Sequence, residues 1–416
     1  MFDEKRRTAD EKYHLMNRLK RKRVIVKGGA IVNETQVMEN RLKALIDGNK
    51  PENRTKWVTE WKKQGKKVIG LFCTYVPEEI ISASGILPWR VTGTWREAAP
   101  LAASYRPEMS CRYCSHVLES ILNGELDFLD GVVTTQVDDD IKRLWDVMNF
   151  IHKPPFTYIM YLPHVSSKTT FQAWLKSVFS LKKTIENLSG VEITEKEIKR
   201  QIEVYNKMRS LLKKIYELRK RESPPLTGAE ALGITTTARI MPRDEFVREL
   251  EALLPYLENR KLTLKHTRPR LLMSGEFLDN PAYVGLVEEA GSLVVMDDFE
   301  TGSKYFCGMV DGSSKDSLEA LARRYMDRPG TSRMINWGEQ AEQLIKWIKE
   351  FCIDGVVELR QLYSLPLDYR FFVLKERFKA AAVPYLSLSR EYHLANVGML
   401  RTRVEAFIEM IKGKSQ

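Results

Sequence analysis

The residues of this chain best suited to metal or redox chemistry are its five cysteines, Cys73, Cys111, Cys114, Cys307 and Cys352. An odd, sparse set argues against a disulfide framework and leaves metal binding or buried thiols. Cys111 and Cys114 make a C-x-x-C at the predicted start of a helix, where N–H groups and the helix dipole favour thiolate over thiol. Such a pair has three readings: a redox couple, two metal ligands, or chance spacing. A thioredoxin-like couple follows the first strand of a small fold, and this pair lies far from one. A structural zinc site needs a second C-x-x-C or a His pair, and His116 is a single histidine, read as structural. With Cys73 the pair supplies three thiols, and thiolates are the usual holders of an iron–sulfur cluster. Cys307 and Cys352 are expected to be buried, inert thiols. Glu78 and Glu79 read either as carboxylates complementing a helix N-terminus or as an acid–base group beside a substrate. Arg90, at a predicted strand end, suits a phosphate contact or a surface ion pair. Asp297 and Asp298 read as loop hydrogen-bond acceptors.

The elements that must place these residues alternate between strand and helix. The run KKVIGLFCTYV predicts a buried strand over Val68 to Val76, and Pro77 opens the next helix as its first residue. The segment ILPWRVTG returns as a strand, LDGVVTTQV (Leu129 to Val137) is another, and FTYIMYLP a fourth. Residues 167–222 lose all strand signal and read as long helices, ended by SPPLTG at Ser223 to Gly228. A second series then follows: RLLMSG, GSLVVMDDFETG, IDGVVELRQLYS and VPYLSLSRE as strands, with LRTRVEAFIEMIKG as the closing helix. The predicted fold class is α/β: two similar, doubly wound lobes with parallel sheets, a helical N-terminal extension and a helical insertion. The expected organisation is an extension over residues 1–65, a first lobe over 66–165, a helical segment over 166–262 and a second lobe over 263–416. In open α/β sheets ligands bind beyond the carboxyl ends of the strands. That rule selects the loops Cys73 to Glu79, Gln136 to Asp140, Ser274 to Asp279, Asp297 to Ser303 and Tyr363 to Asp368.

Composition narrows the function class. A chain of 416 residues with 43% hydrophobic and 29% charged residues is globular and too long for one ordinary core. No apolar run reaches the roughly 18–20 residues needed to span a bilayer. The first residues lack the apolar core of a secretory signal, so a cytoplasmic location with no membrane contact is expected. The net charge of +11 suits an acidic ligand or partner. Nucleic acid is not expected, because no helix-turn-helix, zinc-finger or RNP-type motif accompanies the charge. The absence of a G-x-x-x-x-G-K-[ST] run implies that this chain is not itself an ATPase of that type.

The run KKVIGLFCTYVPEEIISASGILPWRVTG resembles the opening strand–helix–strand of the smaller subunit type in 2-hydroxyacyl-CoA dehydratases and benzoyl-CoA reductases. The segments LDGVVTTQVDDD, VVMDDFETGSKYF, DGVVELRQLYS and LRTRVEAFIEMI fall in the same order as in that group, so the resemblance covers roughly residues 66–412. It implies two flavodoxin-like lobes with a [4Fe–4S] or larger cluster between them, held by this chain or by its partner. It also implies a related sister subunit, a separate ATP-dependent activator that supplies one low-potential electron, and radical chemistry on an acyl-CoA. Dehydration of a 2-hydroxyacyl-CoA is the leading expectation; aryl-CoA reduction or a cluster-free structural role are the alternatives. The expected site residues are Cys73, Cys111 and Cys114 for metal, Glu78 and Glu79 for catalysis, and Arg90 for the CoA phosphates. Cys111 matches a family ligand position, whereas Val137 and Ser364 stand where that pattern places thiolates, and Glu300 stands where some members carry cysteine.

Overall fold

The computed structural model describes residues 24–27, 30–262 and 268–414. Two short strands, β1 (Val24–Lys27) and β2 (Ala30–Asn33), pair antiparallel ahead of a helix over Glu34–Ile46. The expected all-helical extension is therefore corrected over residues 24–27 and 30–33, where two short runs rich in β-branched residues pair antiparallel. Its charged start and the boundary at residue 263 lie outside the described residues.

Strands β3 (Val68–Leu71), β4 (Leu87–Arg90), β5 (Gly131–Thr135) and β6 (Thr157–Met160) form one four-stranded sheet in the order β4-β3-β5-β6. Strands β7 (Arg270–Ser274), β8 (Leu293–Asp297), β9 (Gly355–Gln361) and β10 (Tyr385–Arg390) form another in the order β10-β9-β7-β8. Every pairing in both is parallel. The first sheet, counted from its own first strand, runs 2-1-3-4, the flavodoxin-like winding; the second runs 4-3-1-2, which read from its other edge is 2-1-3-4 as well. Strands β3, β5 and β8 are buried at every residue, as parallel strands covered on both faces must be. The order reverses between β3 and β5 in one lobe and between β7 and β9 in the other. Those two points are where each lobe offers a crevice for a ligand.

Strand β3 is shorter than its apolar run, because the chain turns at Thr74 and Tyr75 and so places Cys73 in the loop. Pro77 caps the helix Glu78–Ala83 in an extended conformation instead of opening it. The insertion consists of helices Lys168–Ser189, Glu195–Leu218, Gly228–Thr237 and Arg243–Asn259. Ser167 and Thr227 each close a reciprocal capping box at a helix start. The second of these helices packs on both Arg243–Asn259 and the first-lobe helix Glu78–Ala83, so the insertion braces the lobe. Between β8 and β9, where periodicity named no element, lie the helices Ser317–Asp327 and Trp337–Glu350. The segment Arg328–Ile335 that joins them runs through the junction of the lobes, with Thr331, Ser332 and Met334 buried.

Candidate functional site

The loops that leave the carboxyl ends of the two sheets meet, and charged side chains hold them together. Arg90 ends β4 and donates to Glu300 of the loop after β8 at 2.8 Å. Arg333 donates through Nε to Asp138, after β5, at 2.7 Å and through Nη1 to Glu276, after β7, at 3.0 Å. The same Nη1 lies 3.6 Å from Glu300. Arg370 pairs with Asp298 and reaches Glu276 at 3.2 Å, and Lys304 lies 2.9 Å from Asp298. The segment carrying Arg333 is itself anchored on both sides. Arg328 donates to the Thr74 carbonyl at 3.0 Å, Thr331 N–H to the Tyr75 hydroxyl at 3.1 Å, and Ser332 N–H to Glu276 at 2.5 Å.

Electrostatics follow from this crowding of charge. Burial opposes ionisation of Glu300, but Arg90, Arg333, Arg239 and Arg328 outweigh it and hold the carboxyl below its usual range. Asp298 is likewise held low against burial by Arg370 and Lys304. Arg239 shows the reverse effect: burial and neighbouring Arg90 pull its pKa down to about 10.

Each expected site residue has a definite place. Glu78 and Glu79 are buried, not solvated at a helix start. Glu78 accepts from Arg243 at 2.7 Å and from the Tyr305 hydroxyl at 3.0 Å. Glu79 pairs with Arg209 of the insertion and accepts from the Tyr325 hydroxyl at 2.8 Å. Burial raises the Glu79 pKa, and Arg209 with Arg324 more than reverses that. Arg90 makes a buried ion pair, with its guanidinium 4.8 Å above the Phe277 ring, in place of the expected surface contact. Asp297 is the expected loop acceptor: it takes the N–H of Ser303 at 2.8 Å and the Tyr216 hydroxyl at 2.5 Å. A Cβ on Gly302 would lie 2.1 Å from that carboxylate, which is why DDFETG ends in glycine.

The cysteines separate into distinct settings. Cys73 accepts from the Thr135 hydroxyl at 3.1 Å, and burial followed by Glu300 pushes its thiol pKa up. Cys111 caps the helix Arg112–Leu122, and its N–H donates to Asp140 at 3.0 Å. A hydrogen bond from Cys114 lowers the Cys111 pKa, while burial raises that of Cys114. Among the described residues no three or more His, Cys, Asp or Glu side chains gather as a metal-holding group, so Cys73, Cys111 and Cys114 do not converge on one point. Cys307 is only partly buried, a correction to the expected core thiol, although its surroundings still push its pKa up to about 12. Cys352 is a correction: it is exposed, at a φ of +50° in the turn after Trp337–Glu350, facing out between the buried Phe351 and Ile353.

The segments that carry the family ligand positions neighbour one another, although their residues do not suit a cluster. Cys111 is tied through Asp140 to the loop of Val137, and Arg112 stacks 5.1 Å from the Tyr363 ring beside Ser364. Arg333 then links Asp138, next to Val137, with Glu300. Val137 has no donor atom, Ser364 offers a hard hydroxyl, and Glu300 is already engaged by guanidinium groups. The residues present therefore do not fit a thiolate-held cluster. Beside this junction an open pocket of about 450 Å³ is lined by Arg106, Arg112, His116, Glu391 and His393, among others. Burial, His393 and Arg112 drive the His116 pKa down to about 4, so the ring is neutral at physiological pH. Glu276, Arg333, Arg370 and Arg209 carry the architecture, and sequence reasoning missed them. Single charges in loops and helices give no periodic signal, although Glu276 does fall in a loop selected by the strand-end rule.

The pH dependence of stability follows with its sign. Glu79, Asp298 and Glu300 have folded pKa values below their unfolded ones, so their contribution is present above the unfolded pKa and lost as pH falls through the folded pKa. Asp279, Asp297 and Glu358 are raised by burial and act oppositely, taking up protons first and relieving a cost. His116 acts against them: its pKa is depressed to about 4, so the unfolded ring binds its proton first and stability is lost as pH falls from about 6.5 towards 4. With the raised carboxylates partly offsetting this, denaturant midpoints should decline gently below about pH 6.5 and steeply below about pH 4. Midpoints that rise steadily between about pH 6.5 and 4.5 would contradict this ordering.

No helix among the described residues is long and apolar enough to cross a membrane. A family model described as the D-component of 2-hydroxyglutaryl-CoA dehydratase matches residues 73–411. The (R)-phenyllactyl-CoA dehydratase beta subunit of Clostridium sporogenes is 23% identical, over 86% of this chain and 96% of its own. The (R)-2-hydroxyglutaryl-CoA dehydratase subunit beta of Acidaminococcus fermentans is 23% identical, over 85% of this chain and 95% of its own. A benzoyl-CoA reductase subunit of Thauera aromatica is also 23% identical, over 85% of this chain and 93% of its own.

Proposed function

The chain belongs to the 2-hydroxyglutaryl-CoA dehydratase D-component family, and on that premise we propose that it is one of two related subunits of a cytoplasmic, oxygen-sensitive 2-hydroxyacyl-CoA dehydratase. The observation that carries this reading is the match over residues 73–411, which takes in the first lobe from the end of β3 onward, nearly all of the second lobe and every loop at their junction. Relatives named as beta subunits support a sister subunit. In this reading the enzyme removes water from a CoA thioester by iron–sulfur-dependent radical chemistry, with one electron delivered by a separate ATP-dependent activator. This chain's own part is to hold two crevices rigidly against each other. The pocket beside the Cys111 helix, with Arg106 and Arg112 in its wall, offers the acyl-CoA an open approach. Arg90 keeps Glu300 ionised and in place; with its guanidinium buried, it is not a CoA phosphate contact in this reading. Glu78 and Glu79 are held by arginines as structural anions.

Aryl-CoA reduction is the second reading, favoured by a reductase subunit that matches at the same identity as the two dehydratase subunits. The test is anaerobic co-production with the sister subunit and activator, followed by assays on 2-hydroxyacyl-CoA and benzoyl-CoA. Water loss from the hydroxyacyl thioester that needs this chain is expected. Ring reduction without dehydration would select the second reading, and no turnover of any acyl-CoA by an assembled, activated complex would sink both.

A further inference from the structure

We infer that this chain holds no iron–sulfur cluster of its own, because the segment Arg328–Met334 packs into the junction of the lobes, between the loops that carry Val137 and Glu300, and closes it with ion pairs centred on Arg333. The inference rests on the family reading above, which is what places a cluster between the lobes.

The donor set is the first obstacle to a cluster. Three thiolates are needed at the family ligand positions, and the chain supplies one, Cys111; its neighbour Cys114 sits one helical turn on and is 1% exposed. Val137 presents only carbon, and hydroxyl or carboxylate oxygen is a poor substitute for sulfur around iron in such clusters. Cys73 is turned to Thr135 and the Tyr75 N–H, inside the first lobe. Space and charge are the second obstacle. Thr331 and Ser332 are 0% and 1% exposed, so the joining segment is packed into the junction and does not lie over it. Arg333 gives Nε to Asp138 and Nη1 to Glu276, and its own carbonyl lies 2.8 Å from His164 Nδ1 of the first lobe. The neighbouring Ile335 N–H donates to the His164 carbonyl at 2.8 Å. Seating a cluster there would require expelling this segment and leaving Asp138, Glu276 and Glu300 with less positive charge around them. The chain is then redox-silent, and the electron must enter the enzyme through the sister subunit.

The test uses the assembled complex made anaerobically with this chain either unaltered or carrying Cys73→Ser, Cys111→Ser and Cys114→Ser together. Iron and acid-labile sulfide per complex, and the low-temperature electron paramagnetic resonance signal, should be unchanged. Loss of one cluster's iron and sulfide from a complex that still assembles would overturn the inference. If the triple variant does not assemble, the unaltered full-length chain is incubated alone with ferrous iron and sulfide. Iron well below one atom per chain is expected, and a stoichiometric cluster with charge-transfer absorbance overturns the proposal. These readouts count iron, so they stand apart from the acyl-CoA assays: an inactive complex would count against the dehydratase reading while the iron result still decides this one.

Discussion

Arg209→Met should destabilise the fold by about 3–5 kcal/mol, a large part of the total stability of an ordinary domain. Arg209 is 2% exposed, on the insertion helix Glu195–Leu218, and its partner Glu79 is 0% exposed, on the first-lobe helix Glu78–Ala83. Removing the guanidinium leaves a carboxylate in the interior with the Tyr325 hydroxyl and more distant Arg324 as compensation. The cost comes from the stranded charge more than from the lost attraction, so the double variant Glu79→Gln, Arg209→Met should recover most of the loss. Urea denaturation of the four proteins closes the cycle. A single-variant loss under about 1 kcal/mol, or a double variant no better than the single, would show that the pair is not the buried brace described here.

The second large effect is expected at Arg333. Arg333→Ala withdraws one cation from three carboxylates, Asp138, Glu276 and Glu300, drawn from both lobes. Glu300 keeps Arg90 and Glu276 keeps Arg370, while Asp138 keeps only its capping bond to the Ile141 N–H at 2.8 Å. Destabilisation of about 3 kcal/mol is expected, the lower end for a broken buried pair, because the stranded Asp138 side chain is 13% exposed and keeps some contact with water. The loss should also be local. Amide hydrogen exchange should accelerate in residues 328–335 and in the loops after β5 and β7, with the sheet interiors protected. Arg333→Lys should restore little, because a single ammonium cannot present Nε and Nη1 to carboxylates on opposite sides. Unchanged exchange in the 328–335 segment would count against its role as the filling of the junction.

Much of the fold was legible along the chain because strand and helix periodicities are local. Leu271, Leu272 and Met273 announce β7, and the acidic run Asp138 to Asp140 announces a helix start. The same logic found the loops at the sheet ends, including those of Glu276 and Glu300. It failed at residues 24–33, where two four-residue strands are too short to outweigh a charged, helix-like surrounding. It also failed at Cys352, since one residue of a tight turn can face out while its neighbours Phe351 and Ile353 stay buried. The cysteine count and the C-x-x-C suggested a ligand set, yet spacing cannot tell whether Cys73 points at Cys111 or at Thr135.

What the amino-acid sequence determined by itself was the alternation of strands and helices, the strand-end loops and the family, because each depends on runs of neighbouring residues. Only the tertiary structure decided what those loops enclose. Glu79 meets Arg209 across 130 positions and Asp138 meets Arg333 across 195, and charge pairing carries no local pattern that marks its partner. Whether a buried arginine serves a ligand or a neighbouring carboxylate depends on which groups folding brings within about 4 Å, since Coulomb attraction and desolvation are both settled at that range.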